Sequence, residues 1–253
     1  MDKPEMIFFD YGHTLCYEPV QDYPAGWAEV MRHAVRNPQG VTAASLAELM
    51  TDIYSRVWGS MRPHELETDG FKLDAEIYES LGLAFDVSLE ELEYLRWRAT
   101  EPIYPMEGVE AFLELCGQLG IRTAVISNLS YSGASLRRRI AETLPSNRFE
   151  FILASSDGAF RKPSEWIFRR ALSRAGIDAG KCWFIGDDVR CDIEGAARAG
   201  IWPVWYRSPL RCTYKPAAKA PPECLHTVVT SWDELGVMLR GLIKMRKCVT
   251  ISV

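Results

Sequence analysis

The apolar positions of the chain follow two different spacings, and their alternation predicts the fold. Short runs of consecutive apolar residues predict buried strands: one that ends before Asp10, then 121–126, 149–154, 182–185 and 201–206. Between the later runs, apolar residues recur at helical intervals over 108–119, 163–175, 193–199 and 231–242. Strands separated by such helices are typical of right-handed βαβ units. We therefore predict a Rossmann-like α/β fold with a doubly wound parallel sheet.

One long block of the chain carries only the helical spacing. Apolar stripes around Trp27 and Leu46 predict two helices, and residues 71–81 and 89–97 predict two more. No run in this block has the character of a strand, and the sheet resumes only after Pro105. We therefore predict an inserted all-helical domain, residues 19–102, within a core built from residues 1–18 and 103–253. In that core, residues 208–222 are rich in Pro, Ala and basic side chains and are predicted to form an exposed loop.

Composition and charge exclude several classes of function. The 253 residues are 47% hydrophobic, and their formal net charge of −5 offers no basic surface for nucleic acid or an anionic membrane. The first ten residues carry charges where a signal peptide is apolar, and no apolar run is long enough to span a membrane. The seven cysteines are scattered without a C-x-x-C pair, so reduced thiols are expected. A cytoplasmic protein is predicted, and its oligomeric state is left open.

Chemically versatile residues recur where the predicted strands end. Asp10 follows the first strand, Ser127 and Asn128 follow the second, and later segments supply Lys162 and Asp187. In an open parallel sheet, ligands bind at this edge, near the point where the strand order reverses. Aspartates offer the hard oxygen ligands that Mg²⁺ prefers, whereas a serine and a lysine can hold phosphate oxygens. Each residue alone has an ordinary structural explanation, but together they predict a pocket for a metal ion and a phosphoryl group.

Four segments resemble, in order and spacing, the four motifs of the haloacid dehalogenase-like hydrolases, most of which are Mg²⁺-dependent phosphatases. The segments are FFDYGHTL, VISN, RKP and GDDVRCDIEGAARAG, and the last of these is the most specific. The resemblance extends over nearly the whole chain. The helical block resembles the helical cap that this family places between motifs one and two. A phosphatase or phosphotransferase acting on a small phosphorylated metabolite, enclosed by the cap, is therefore implied.

The resemblance implies a role for each aspartate of these motifs. Asp10 is expected to attack phosphorus and form an aspartyl-phosphate. Asp10, Asp187 and the backbone carbonyl of Gly12 are expected to ligate Mg²⁺. Asp188 or Asp192 is expected either in the outer shell of the metal or beside the lysine of the third motif, which it would orient.

The resemblance also implies how the phosphoryl group is bound. Ser127 and Lys162 are expected to neutralise the charge of its oxygens. Asn128 is expected to contribute to the same binding site. Thr14 and the backbone N–H groups after the nucleophile are expected to complete the anion-binding loop.

One position departs from the family pattern. Family phosphatases carry a second aspartate two residues after the nucleophile, as general acid and base, whereas this chain has Gly12. A general acid–base contributes roughly 10²–10⁴-fold in rate, so turnover is expected to be slow or restricted to leaving groups that need no protonation. His13 is the candidate for a catalytic replacement because imidazole exchanges protons near neutral pH; local packing or hydrogen bonding is its alternative role.

Three functions remain open at this point. The leading one is the Mg²⁺-dependent phosphatase, and the second is a non-catalytic or nearly inactive phosphate-binding module, which Gly12 favours. The third is a metal-independent haloacid dehalogenase-like hydrolase, in which Asp10 attacks carbon. The acidic group at 187–192 disfavours the third, because carboxylates clustered near a nucleophilic carboxylate repel it unless a cation lies between them.

Two further sets of residues bear on the pocket. The tryptophans Trp27, Trp58 and Trp97 belong to the helical block and either face the pocket or fill the interior of the helices. The three consecutive arginines at 137–139 point in different directions around a helix, so they are expected on a solvated face.

Overall fold

A computed structural model of the chain describes residues 2–208, 210 and 220–249, so most of the predicted loop at 208–222 lies outside the described residues. The strands are β1 (Met6–Phe9), β2 (Cys16–Tyr17), β3 (Ala34–Arg36), β4 (Ala84–Phe85), β5 (Tyr104–Pro105), β6 (Arg122–Ser127), β7 (Ile152–Ala154), β8 (Cys182–Gly186), β9 (Trp202–Tyr206) and β10 (Thr227–Val229). The helices are α1 (Tyr23–Arg32), α2 (Ala43–Met61), α3 (Gly70–Ser80), α4 (Leu89–Thr100), α5 (Val109–Gln118), α6 (Gly133–Thr143), α7 (Glu165–Ala175), α8 (Gly195–Arg198) and α9 (Trp232–Val249).

A six-stranded parallel sheet lies at the centre of the molecule, as predicted. Its strand order is β10-β9-β8-β1-β6-β7, and every neighbouring pair runs parallel. From β1 the chain first builds one side of the sheet, through β6 and β7, and then the other side, through β8, β9 and β10. The order therefore reverses at β1, which makes the carboxyl end of β1 the place where a ligand is expected to bind.

Both faces of the sheet are covered by helices. All four residues of β1 are buried: Met6 and Phe8 pack with residues of α7 and α8, whereas Ile7 and Phe9 pack with residues of α5, α6 and α9. The alternation follows from the two-residue period of a strand. Burial on both faces explains why β1 is a continuous apolar run rather than an alternating one.

The block between β2 and β5 contains the four predicted helices α1–α4. They share a hydrophobic core of their own, formed by Trp27, Val30, Leu46, Met50, Tyr78, Leu83 and Leu92. The expectation that this block contains no strand was wrong, because β3 and β4 pair antiparallel. These strands have three and two residues, too few for an alternating pattern to be detected in the sequence. The domain limits at residues 19 and 102 stay a prediction.

The sequence also misplaced several features within the core. The strand predicted over 149–154 is confined to β7, and the helix predicted over 193–199 begins earlier, as a π-helical turn over Val189–Glu194 before α8. The short strand β10 was not predicted. Among the described residues, no helix has both the length and the apolar character needed to cross a bilayer.

The expectation of a solvated face for the arginines of α6 was wrong for Arg139. This side chain is only 2% exposed. Its Nε donates to the Tyr11 hydroxyl over 3.1 Å, and its Nη2 donates to the backbone carbonyl of Glu101. Arg139 thereby joins the loop after β1 to the segment after α4, which a solvated arginine could not do.

Candidate active site

Three neighbouring strands bring polar residues to one edge of the sheet. Asp10 directly follows β1, Ser127 is the last residue of β6, and Asp187 directly follows β8. The Asp10 N–H donates to the Ile185 carbonyl over 2.9 Å, which continues the pairing of β1 with β8 by one residue. Because the strands are parallel, their carboxyl ends meet here, and the predicted residues converge at the switch point.

Lys162 lies between two carboxylates at this edge. Its Nζ is 2.6 Å from Asp10 Oδ1 and 2.7 Å from Asp192 Oδ1. Burial alone would lower the pKa of Lys162, but the two carboxylates outweigh it and hold the pKa above its ordinary value. The ammonium group therefore stays charged at neutral pH, although the side chain is only 2% exposed.

Asn128 fixes the backbone of that lysine. Its Oδ1 accepts from the Lys162 N–H over 2.7 Å, and its Nδ2 donates to the Lys162 carbonyl over 2.8 Å. Asn128 thus positions Lys162, whose ammonium group is positively charged. The sequence placed Asn128 at the pocket but gave no sign of this reciprocal contact, which joins residues 34 positions apart.

Three carboxylates form a cluster that fits a divalent cation. Ligand oxygens of Asp10, Asp187 and Asp192 all lie within 4.8 Å of one another. Lys162 brings one ammonium group to these three negative charges, so the cluster keeps an excess of negative charge. Hard carboxylate oxygens are the ligands that Mg²⁺ prefers, and the donor set therefore suits this ion.

The structure distinguishes Asp188 from Asp192. Asp188 caps the π-helical turn, because its Oδ1 accepts from the Cys191 N–H over 2.8 Å. Asp192 is 1% exposed, lies in the carboxylate cluster, and accepts from the Asp188 N–H over 3.0 Å. Gly186 is required beside it: a Cβ at this position would lie 2.4 Å from Asp192 Oδ2. Asp192 is thus placed to contact Lys162 and the cluster together.

The loop after Asp10 places its three predicted residues differently. Gly12 and His13 line the cavity above the sheet edge, whereas Thr14 is fully buried and is not among the lining residues described. His13 has a left-handed backbone, with φ of 57°, and its Nε2 lies 3.8 Å from Glu18 Oε2. A Cβ added to Gly12 would meet no atom within 4 Å, so the position of the family's second aspartate is open space.

A cavity of about 1220 Å³ opens above these residues, between the sheet edge and the helical block. Trp27, Trp58 and Trp97 all line it and are buried; Trp27 also belongs to the core of the helical block, whereas Trp97 packs in the core of the sheet. Besides Lys162, four of the described lining residues are positively charged, and none of them was predicted as a site residue. They are Arg62, Arg96, Arg161 and Arg190. Arg161 precedes Lys162 in the third motif and Arg190 lies in the fourth, whereas Arg62 and Arg96 belong to the helical block and to none of the motifs.

The buried Glu67 holds the helical block against the sheet. Glu67 accepts from Trp58 Nε1 over 2.7 Å, from Ser155 Oγ over 3.0 Å and from Arg161 Nη1 over 3.0 Å. The backbone beside it pairs with the segment before Lys162, because the Glu67 N–H donates to the Ala159 carbonyl over 3.0 Å. The wall of the cavity is therefore tied directly to the loop that carries Lys162.

Comparison with known proteins agrees with this geometry. A model of the haloacid dehalogenase-like hydrolases matches residues 5–200. The chain is 32% identical over 100 residues to haloacid dehalogenase-like hydrolase domain-containing protein 3 of Mus musculus, covering 38% of this chain and 37% of the relative. It is 30% identical over 138 residues to phosphoserine phosphatase of Thermus thermophilus, covering 54% of this chain and 53% of the relative. The matches thus span about a third to a half of these relatives.

A solved structure shows the same fold over nearly the whole chain. The crystal structure of 2-haloacid dehalogenase from Pseudomonas syringae superposes with a TM-score of 0.59 at 21% identity. The superposition covers 95% of this chain and 99% of that one.

Proposed function

The chain belongs to the haloacid dehalogenase-like hydrolase family, and on that premise we propose that it hydrolyses a phosphate ester of a small metabolite, with Mg²⁺ as cofactor. One observation carries the proposal. The carboxylates of Asp10, Asp187 and Asp192 lie within 4.8 Å of one another at the switch point of the sheet, with Lys162 between two of them. The similarity to a phosphoserine phosphatase supports a phosphate ester as substrate.

Each residue of the site has a task in this reaction. Asp10 attacks phosphorus in line with the leaving group and becomes an aspartyl-phosphate, which water then hydrolyses. Ser127 and Lys162 bind the oxygens of the transferred group. Asp10, Asp187, Asp192 and the Gly12 carbonyl are the groups that would hold Mg²⁺, while Asp188 caps the turn that carries Asp192. When bound, this ion neutralises negative charge on the phosphoryl group and on the carboxylates that face it.

The loop after β1 limits which substrates react. Gly12 cannot protonate a leaving group or deprotonate water, so alkyl phosphates are expected to react slowly. Acyl and aryl phosphates depart without protonation and are expected to react best. The aspartyl-phosphate is expected to persist, since no carboxylate at position 12 activates the water that hydrolyses it.

The test is phosphate release from acetyl phosphate and 4-nitrophenyl phosphate, with either MgCl₂ or EDTA. We expect Mg²⁺-dependent release by the wild type and none by Asp10→Asn. Asp178→Asn, an exposed aspartate away from the cavity, is the matched control and should behave as the wild type. Release that persists in Asp10→Asn, or in EDTA, would contradict the proposal.

Gly12 also favours a second candidate function, a phosphate-binding module with little or no turnover. In that case neither substrate releases phosphate, but inorganic phosphate or vanadate still binds in a manner that depends on Lys162. The metal-independent dehalogenase is disfavoured by the clustered carboxylates. Halide release from 2-chloropropionate in EDTA would reinstate it.

A further inference from the structure

The arginines that line the cavity differ in whether a carboxylate lies close enough to neutralise them. Three of the four lining arginines have a carboxylate partner within 4.0 Å: Arg96 with Asp74, Arg161 with Glu67, and Arg190 with Glu65. Arg62 is the exception, because the described residues place no carboxylate oxygen within 4.0 Å of it. Arg62 as a whole residue is exposed, although its guanidinium group is partly desolvated, and it lines the cavity, where a ligand can reach it.

The surroundings of Arg62 favour an anion. Arg62 begins the short 3₁₀ turn after α2, with its Cζ 5.6 Å from the centre of the Trp58 ring and its Nη2 3.5 Å from Ser130 Oγ. Burial and the nearby Arg161 lower the pKa of Arg62, and Glu67 opposes them. Glu67 already accepts hydrogen bonds from Trp58, Ser155 and Arg161. An anion bound beside Arg62 would therefore relieve the repulsion between the guanidinium groups of Arg62 and Arg161.

Aromatic rings form a row along the wall that leads to Arg62. Trp27 lies 6.3 Å from Tyr54, and Tyr54 lies 4.5 Å from Trp58, measured between ring centres. The cavity, at about 1220 Å³, is far larger than a phosphoryl group needs. There is consequently room for an organic group of substantial size, and the rings suit one with a planar or apolar surface.

We propose that the substrate is a phosphate ester whose organic part carries a second anionic group, which binds to Arg62. Its phosphoryl group lies at Asp10 and Lys162, and its body lies against the aromatic row. This inference rests on the proposed function for the placement of the phosphoryl group. Arg62 is accordingly a specificity-determining residue: it selects the substrate and takes no part in the chemistry at phosphorus.

A pair of nearly isosteric ligands tests the inference without the need for turnover. Binding of 4-carboxyphenyl phosphate and 4-carbamoylphenyl phosphate to the Asp10→Asn protein, in the presence of MgCl₂, is measured by calorimetry. We expect the carboxylate to bind about 10-fold more tightly than the uncharged amide, as a charge-assisted hydrogen bond to an arginine implies. The bisphosphate of hydroquinone is a third ligand, and its affinity relative to the carboxylate shows which anion Arg62 prefers.

Substitutions then assign the preference to one side chain. Arg62→Gln should bring the ratio of the two dissociation constants close to one, and Arg62→Lys should keep part of the preference. Arg56→Gln removes an exposed arginine of helix α2, which directly precedes the turn with Arg62; it does not line the cavity, and the variant should keep the full ratio. Equal binding of the charged and uncharged ligands, absent binding of both, or a ratio unchanged in Arg62→Gln would overturn the inference.

Failure of the proposed function gives a different result. If the wild type releases no phosphate from any aryl phosphate but the Arg62-dependent preference is present, the catalytic proposal is wrong and the second anion site stands. If phosphate is released but the preference is absent, the catalytic proposal stands and the assignment of Arg62 is wrong.

Discussion

At position 12 the backbone leaves room for a side chain. A Cβ added to Gly12 would meet no atom within 4 Å, and its φ is not among the positive values that favour glycine. Gly12 also lines the cavity, two residues after Asp10. A carboxylate can therefore be introduced beside the nucleophile without displacing residues other than its chain neighbours, and we expect it to restore the missing proton carrier.

We predict that Gly12→Asp raises kcat/KM for an alkyl phosphate such as glycerol phosphate by at least about 10-fold, since a well-positioned general acid–base contributes roughly 10²–10⁴-fold. Acetyl phosphate, which needs no protonated leaving group, should gain much less. Steady-state phosphate release on both substrates measures the difference. Gly12→Asn is the control because it matches the size of the aspartate but cannot exchange a proton at neutral pH; an equal gain in both variants would show that the proton is not the cause.

The elements of the fold were predictable to the extent that each one is long and buried. β1, β6 and β8 are nearly continuous apolar runs because helices cover both faces of the sheet, and all three were predicted close to their observed bounds. The short strands β3, β4 and β10 were missed, since two or three residues cannot show a period. Arg139 was misjudged for a different reason: local sequence cannot show which turn of a helix faces a neighbouring element.

The contact between α4 and α6 gives a prediction at the scale of elements. Glu93, 5% exposed, accepts from the Ser132 N–H over 2.8 Å and from the hydroxyl groups of Ser132 and Ser135. Glu93→Ala removes these charge-assisted bonds and should lower the free energy of unfolding by about 2–4 kcal/mol. Urea denaturation followed by circular dichroism measures the change.

Glu90 is the matched control for that substitution. It lies on the same helix, one turn before Glu93, and is exposed. Glu90→Ala should lower the free energy of unfolding by less than about 1 kcal/mol, the effect expected of an acidic side chain near a helix N-terminus. Similar losses in both variants would mean that the buried contacts of Glu93 do not hold the helical block to the core.

At the scale of the whole molecule, the motifs predicted which residues converge but not what surrounds them. Asp10, Ser127 and Asp187 lie at the carboxyl ends of parallel strands and Lys162 lies just before α7, so the order of the elements brings them together. The cavity needs the helical block as its opposite wall. Its arginines and aromatic rings come from several helices and loops, and their convergence depends on packing angles that the apolar pattern does not encode. Arg62 therefore became visible only in the structure.

The carboxylate cluster predicts how the stability of the whole chain responds to metal. Asp10, Asp187 and Asp192 repel one another in the folded protein, whereas unfolding separates them. A cation that binds only the folded state stabilises it by about 2.7 kcal/mol at 100 times its dissociation constant. We therefore expect MgCl₂ to raise Tm by several degrees relative to NaCl of equal ionic strength, as measured by scanning calorimetry.

Asp187→Asn separates metal binding at the carboxylate cluster from general salt effects. It should reduce the rise in Tm that Mg²⁺ causes, but it should not lower the stability of the metal-free protein. In EDTA the variant should be as stable as the wild type or more stable, since one of the repelling charges is gone. In MgCl₂ it should lose most of the increase in Tm that the wild type shows, since one ligand is missing. A variant that is less stable in EDTA yet keeps the full response to Mg²⁺ would show that Asp187 supports the fold and that the metal binds elsewhere.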